Sequence, residues 1–324
     1  MKENGKKMIN LLEEIGNAAS IGITGHIRPD GDCTAAVLAA YQYLRKAKPD
    51  ASVRIFLEDI PTIYGGIAGA DRLESGEGAD GLFDVFLVLD CSVDRTGPIE
   101  KLVRTADKII NIDHHVSNSN GSGHVNHVVP SASSVCEVLY ELLDKQYVDR
   151  QIAEAIYIGI INDCGVFQYS NTSRRTMEIA GELIEYGFPF ADLIQKTFYE
   201  KTYVQNQLMG RALLESILFM DGRCIVSCID RKTMEFYGAK PKHLDGIVSQ
   251  LRNTRGVDCA IFMYEVGCME YKVSLRSNAK LNVARVAEQF GGGGHVRAAG
   301  CTMNGTFHDV VNNLSAVIEE LLEA

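Results

Sequence analysis

Four short apolar runs in the first 115 residues each stop on polar side chains: "SIGITGH", "SVRIFLED", "FDVFLVLDCS" and "DKIINIDHH". Continuous apolar runs of this length, rather than alternating ones, predict strands buried on both faces, as in a parallel sheet. Helical patterns lie between and after them. "GDCTAAVLAAYQYLRKAK" predicts a helix over about residues 33–46. "SSVCEVLYELLDKQ" predicts one with Ser133 or a neighbour as N-cap, "IAEAIYIGIINDCGVF" one ending at Asn162 and Asp163, and "SRRTMEIAGELIEYG" one closed by Gly187. The alternation predicts an α/β fold with an open parallel sheet, which binds ligands at the carboxyl ends of its strands.

The 324 residues suggest two domains rather than one. A helical pattern runs with few breaks over about residues 192–218 and predicts a long connecting helix. After it come "RCIVSCI", "VDCAIFMYEV" and "MEYKVSLRS", read as strands, with a helix "HLDGIVSQLRN" between the first two. "NVARVAEQFGGGGHVRAAGC" reads as a helix, a glycine run and a second helix, and "FHDVVNNLSAVIEELLEA" as a closing helix. The expected division is a catalytic domain over 1–190, a helical linker over 191–218 and a smaller mixed α/β domain over 219–324.

A net charge of −10 argues against broad binding to long duplex nucleic acid, which needs a basic face. A small anion held through metal ions remains compatible with it. The nine cysteines include no C-x-x-C pair, so neither a disulfide framework nor a zinc ribbon is indicated. Cys224 and Cys228 share one face of a predicted strand, as small core residues. "MKENGKKMINLLEEIG" does not read as a signal peptide, and no run reaches the ~18 apolar residues of a membrane span. The expectation is a cytoplasmic protein with no membrane partner.

The polar residues at the strand ends form a pattern. "GHIRPDGD" supplies His26, Asp30 and Asp32, "LDCS" Asp90, "IDHHV" Asp113, His114 and His115, and "NDCG" Asp163. Each motif alone also reads structurally: Asp32 as a helix N-cap, Asp90 and Asp113 as turn residues, Asp163 as a loop residue, the histidines as packed under a loop. Together they place four motifs on one edge of the sheet, which capping alone does not explain. Several carboxylates in one pocket repel each other unless cations intervene. Oxygen-rich ligation with a few imidazoles suits two divalent cations, Mn²⁺ or Mg²⁺, better than structural zinc.

In order and spacing, "GHIRPDGD", "VLDCS", "NIDHHVSN" and "GIINDCGVF" resemble the four motifs of the DHH phosphoesterase family. "GGGGHVRAAG" resembles the glycine-rich signature of the DHH-associated domain. The resemblance spans nearly the whole chain. In size and layout the chain is similar to the short bacterial oligoribonucleases of that family, which degrade nanoRNA and dephosphorylate pAp. One departure is visible: the fourth motif, usually Asp-Thr-Gly, is Asp163-Cys164-Gly165 here, with its carboxylate kept.

The resemblance implies residue roles. His26 and Asp30 would hold one metal, Asp32, His114 and Asp163 the other, and Asp90 would bridge them. His115 would contact the scissile phosphate, with Asp113 orienting the histidines. On the second domain, Arg276, Ser277, Gly293, Gly294 and His295 would bind the far phosphate and nucleotide. The glycine run does not fit a G-x-G-x-x-G register. Successive glycines bring backbone N–H groups close to an anion, and the predicted helix after them would add its dipole. Arg28 is a further phosphate candidate. The expected substrates are short oligoribonucleotides cut to mononucleotides, and pAp. The alternatives are a linear or cyclic dinucleotide phosphodiesterase, and a non-catalytic nucleotide-binding sensor. The resemblance allows a homodimer. Cys33, Cys91 and Cys164 directly follow expected ligands and read as packing residues, with oxidative inactivation as the alternative.

Overall fold

The computed structural model describes residues 10–278 and 281–323, with the side chains of His295 and Glu323 outside the description. The first nine residues, where the leader expectation partly falls, also lie outside it. The chain divides into one unit up to Glu200 and a second from Lys201.

The first unit runs α1 (Leu11–Ile15), β1 (Ser20–Thr24), α2 (Gly31–Ala47), β2 (Ser52–Phe56), β3 (Leu73–Glu74), β4 (Val85–Leu89), α3 (Glu100–Val103), β5 (Lys108–Asp113), β6 (Val125–Val128), α4 (Val135–Leu142), α5 (Arg150–Asp163), α6 (Arg174–Ile184) and α7 (Phe190–Ile194). Its six strands are all parallel, in the order β3-β2-β1-β4-β5-β6. All five residues of β4 are buried, as a central strand covered on both faces requires. On one face, α2, α4 and α5 bury a large aliphatic core around Leu38, Leu139 and Ile156. On the other, Phe56, Phe83 and Phe86 pack edge to face and stacked with centroids 5.0–6.0 Å apart. The strand order reverses between β1 and β4, so the crevice of this sheet opens at their carboxyl ends. The two short edge strands, β3 and β6, escape the sequence reading because two and four residues leave almost no periodicity to read.

The second unit contains α8 (Tyr203–Leu214), β7 (Ile217–Phe219), β8 (Cys224–Ile229), α9 (Arg231–Phe236), α10 (Ile247–Arg252), β9 (Cys259–Gly267), β10 (Glu270–Ser277), α11 (Val283–Glu288), β11 (Gly293–His295), β12 (Ala298–Asn304) and α12 (Phe307–Glu323). Its mixed sheet is ordered β11-β12-β10-β9-β8-β7, with β8 and β9 parallel and the other neighbours antiparallel. One face carries a core that includes Val286, Leu314 and Ile318, the other a core that includes Leu208, Ile247 and Leu251. Cys224 and Cys228 do lie against the first of these.

Two expectations fail here. The long connecting helix expected over about residues 192–218 is broken: α7 passes into a π-helical turn, Gln195–Tyr199, and Thr202 opens α8 afresh with a capping box to Gln205. Residues 217–218 belong to β7. The glycine run is followed by a strand rather than a helix. Gly294 has φ +147°, and a Cβ there would lie 2.5 Å from the Ala298 carbonyl oxygen. The glycines are needed where β11 folds tightly back on β12, and pairing with β10 makes residues 298–304 a strand.

Candidate metal centre

The loop after β1 carries His26 and leads into α2. The expected N-cap at Asp32 is instead Asp30, whose Oδ1 accepts the amides of Asp32 and Cys33, each at 3.1 Å. Asp32 lies in the first turn, fully buried, and its carboxylate reaches another helix. Its Oδ2 accepts the Val135 amide at 2.6 Å and its Oδ1 that of Cys136 at 3.1 Å, at the amino end of α4. The neighbouring turn of α5 carries Gly159, where a Cβ would sit 2.7 Å from Asp32 Oδ1. Ser134, the alternative neighbour to Ser133, caps α4 itself through the Glu137 amide.

Asp90 follows β4 in the left-handed region, at φ +64°, which aspartate tolerates better than most residues. Behind it, the buried side chain of Asn111 donates to the carbonyls of Val88 and Cys91 at 3.1 and 2.8 Å and so ties the turn down. Asn111 opens the "NIDHH" stretch, and the sequence reading gave it no role. Asp113 ends β5. Its Oδ1 accepts the amides of His114 and His115 and the His115 Nδ1–H, and its Oδ2 accepts from Asn118. It therefore holds the His115 ring and the backbone amides of both histidines.

The candidate ligand atoms converge. His26 Nε2 lies 3.5 Å from Asp90 Oδ2 and 3.9 Å from Asp30 Oδ1. His114 Nε2 lies 3.2 Å from Asp163, 3.5 Å from Asp90 Oδ1 and 4.0 Å from Asp32. The His26 Nδ1–H donates to the Ile27 carbonyl at 2.9 Å, so Nε2 is the ring nitrogen that faces the carboxylates and would be the ligating one. Within the described residues, ligand atoms cluster within 4.8 Å in three groups: His26, Cys33 and Asp90; Asp90, His114 and His115; Asp32, His114 and Asp163.

The electrostatics match the crowding. Burial, with the charges of Asp90 and Asp163, pushes Asp32 well above the usual carboxylate range. Burial raises Asp163 to about 7. Burial opposes charge on His114, yet the Asp90 carboxylate 3.5 Å away and the other surrounding carboxylates push it up to about 10. Burial also works against the Asp90 carboxylate, but the imidazoles of His114 and His26, each 3.5 Å away, hold it below its ordinary value.

Divalent cations fit this donor set. Asp90 Oδ1 is buried with no hydrogen-bond partner, where a lone carboxylate oxygen needs a donor or a cation. Two of the three imidazoles aim Nε2 at it or its mate, and four carboxylates surround the same space. His115 differs, because its Nδ1 is engaged by Asp113 and only Nε2 remains to meet a substrate. Cys33 is the surprise, since its thiol falls among the ligand atoms. Burial and the nearby Asp90 hold it protonated, so it remains a packing neighbour.

The second unit's expected residues are dispersed differently. Arg276 lies on β10 and donates to the Leu275 carbonyl. Ser277 is buried, and its hydroxyl donates to the Leu281 carbonyl at 2.6 Å, which supports the loop. Gly293 and Gly294 lie on β11, and so does the backbone of His295, whose side chain lies outside the described residues. Arg28 is exposed beside the metal cluster at φ +55°. Among the described residues, no helix is long and apolar enough to cross a membrane.

Comparison with known proteins agrees with this geometry. Residues 20–160 match the DHH family, N-terminal domain, and residues 221–324 the DHHA1 domain. The bifunctional oligoribonuclease and PAP phosphatase NrnA of Thermus thermophilus is 30% identical, over 98% of this chain and 95% of its own. Its Bacillus subtilis counterpart is 27% identical, over 90% and 92%. An exopolyphosphatase-related protein from Bacteroides fragilis shares the fold, with a TM-score of 0.85 and 24% identity over 95% of each chain. RecJ from Thermus thermophilus, solved in complex with Mn²⁺, gives a TM-score of 0.56 at 14% identity, over 96% of this chain and 54% of that one. With its four acidic and histidine motifs gathered at the switch point of the sheet and the glycine-rich hairpin in its second unit, this chain belongs to the DHH family and carries a DHHA1 domain.

Proposed function

We propose that this chain is a divalent-metal-dependent phosphoesterase that cuts short oligoribonucleotides to mononucleotides and removes phosphate from pAp, with Mn²⁺ as its ion and Mg²⁺ as the substitute. The observation that carries the reading is Asp90: a buried carboxylate with an unpartnered oxygen, between two imidazoles that turn Nε2 toward it. His26 and Asp30 would hold one cation and Asp32, His114 and Asp163 the other, with Asp90 shared. Two such ions neutralise developing charge on phosphoryl oxygens and lower the pKa of water.

The chain's own groups supply the rest. The Asp113 carboxylate accepts the His115 Nδ1–H at 2.8 Å, so Nε2 is the ring nitrogen left for a substrate, and it carries a proton to give only in the imidazolium form. The Asp113 hydrogen bond raises the His115 pKa, which keeps a proton available near neutrality for the leaving oxygen. Arg276, with the backbone amides of Gly293 and Gly294 and with His295, offers an anion site for the distal phosphate, supported by Ser277 beneath the loop; Arg28 offers a second cation beside the metal cluster. The homologues named NrnA support the substrate class.

The test is release from 5′-labelled dinucleotide, pentanucleotide, 24-mer, pAp and pyrophosphate side by side with Mn²⁺, and an Asp90→Ala control. Turnover of the short oligonucleotides and pAp, lost in the variant, is the expected result. Turnover of pyrophosphate alone would overturn the reading.

A further inference from the structure

A cavity of about 160 Å³ opens directly beside His26, at the carboxyl ends of β1 and β2. It is smaller than the roughly 300–1,000 Å³ of a site for a whole drug-sized ligand, so it suits one moiety of a larger substrate. Leu57, Pro98, Ile99 and the half-exposed Ile27 give it apolar walls. Arg28, Glu58 and Asp59 line it too, and His26 is common to the cavity and the metal cluster.

Three features make this more than a surface dent. Arg28 and Asp59 both sit in the left-handed region, at φ +55° and +53°, on the loops leaving two adjacent strands. Such backbone persists where the surrounding structure enforces it, and it concentrates at ligand sites. Glu58 Oε1 accepts the Ser75 hydroxyl at 2.9 Å and the Gly76 amide at 3.1 Å, so it closes one side of the cavity. Asp59 makes no hydrogen bond or ion pair with any described residue and is exposed beside it.

The topology says what a carboxylate is for at this place. The strand order is that of the doubly wound dinucleotide folds, and Glu58 and Asp59 follow the second strand. In those folds an acidic residue in this region accepts a ribose 2′-hydroxyl. A hydroxyl is also what distinguishes a ribonucleotide from a deoxyribonucleotide at any one site.

Building on the phosphoesterase reading, we propose that the cavity beside His26 is a ribose subsite. In it Asp59 accepts a 2′-hydroxyl of the nucleotide whose phosphate lies at the metal centre, with Glu58 bracing the wall and Ile27 and Pro98 against the sugar or base. The site then selects RNA over DNA from the catalytic unit, independently of the glycine hairpin.

The decisive variant is Asp59→Gly, which removes the carboxylate and keeps the left-handed backbone. Asp59→Asn is the companion, because it keeps the shape and loses the charge. Steady-state kcat/KM is measured for a ribodinucleotide and for its two single 2′-deoxy versions, and AMP and dAMP are titrated calorimetrically into each metal-loaded protein. Wild type is expected to prefer the ribodinucleotide by about tenfold over one of the deoxy versions, the size of a hydrogen bond to a charged group. Asp59→Gly is expected to erase that ratio while turnover of the deoxy substrate stays within about twofold, and Asp59→Asn to fall between. Wild-type turnover with no ribose preference, or with a preference unchanged in Asp59→Gly, would overturn the subsite and leave the phosphoesterase reading intact. If wild type turned over nothing, that reading would fail, and the titrations would then decide the subsite: equal AMP and dAMP binding overturns it, and a ribose preference lost in Asp59→Gly supports it.

Discussion

The ends of β4 and β5 lie side by side in one sheet, and each carries a buried aspartate. Asp113 accepts four hydrogen bonds through both oxygens, from two amides, an imidazole and an asparagine. Asp90 sits on a left-handed residue with one buried oxygen unpartnered. Identical side chains at equivalent places in adjacent strands thus have opposite environments. One is finished by the protein, and the other is left for something the protein binds. On the proposed function, that difference would separate a group that orients from a group that ligates, and it makes the pair open to direct attack.

The largest effect is expected from Asp90→Asn. Charge is lost where the cations meet, and activity should fall on the order of a thousandfold. Wild-type melting temperature should also rise with Mn²⁺ or Mg²⁺, and this rise should vanish in the variant, because only the wild type gains binding energy in the folded state. An unchanged metal-dependent shift would show that Asp90 is not a ligand. Asp113→Ala should behave differently. It frees the His115 ring and should cost about a hundredfold in kcat, with the metal-dependent melting shift retained. If Asp113→Ala abolished that shift as well, the distinction between the two aspartates would collapse. Asn118→Ala removes one of the four bonds to Asp113 and should cost about tenfold in kcat. The smallest effect is expected from peroxide. Cys33, Cys91 and Cys164 are each no more than 1% exposed, and burial pushes all three thiols up, Cys164 to about 11. Metal-loaded enzyme should keep its activity under peroxide treatment, and rapid loss would point to a redox switch at this centre.

Much of this site was legible because parallel strands end abruptly. A buried apolar run that stops on His26, Asp90 or Asp113 marks both a strand and its functional end. The partition of labour between Asp30 and Asp32 was not legible. Two aspartates two residues apart both suit an N-cap, and only the arrival of α4 decides which one caps α2 and which reaches across. Asn111 was hidden for a related reason, since its partners are backbone carbonyls around the next strand's turn. The break at Glu200 had a local signal in the Thr202 and Gln205 pair, overridden in the sequence reading by the helical pattern on either side. The strand after the glycine run had none, because "VRAAG" carries little strand preference and β10 imposes the pairing.

Asp32 has a consequence beyond ligation. Its carboxylate is carried by α2, receives two amides of α4 and lies against α5 at Gly159, so three helices of the main core meet on one candidate ligand. Releasing that carboxylate means separating helices that share the main core. The amide hydrogens of Val135 and Cys136 should therefore exchange with solvent only when the whole unit unfolds, which makes this half of the metal site as durable as the fold that contains it.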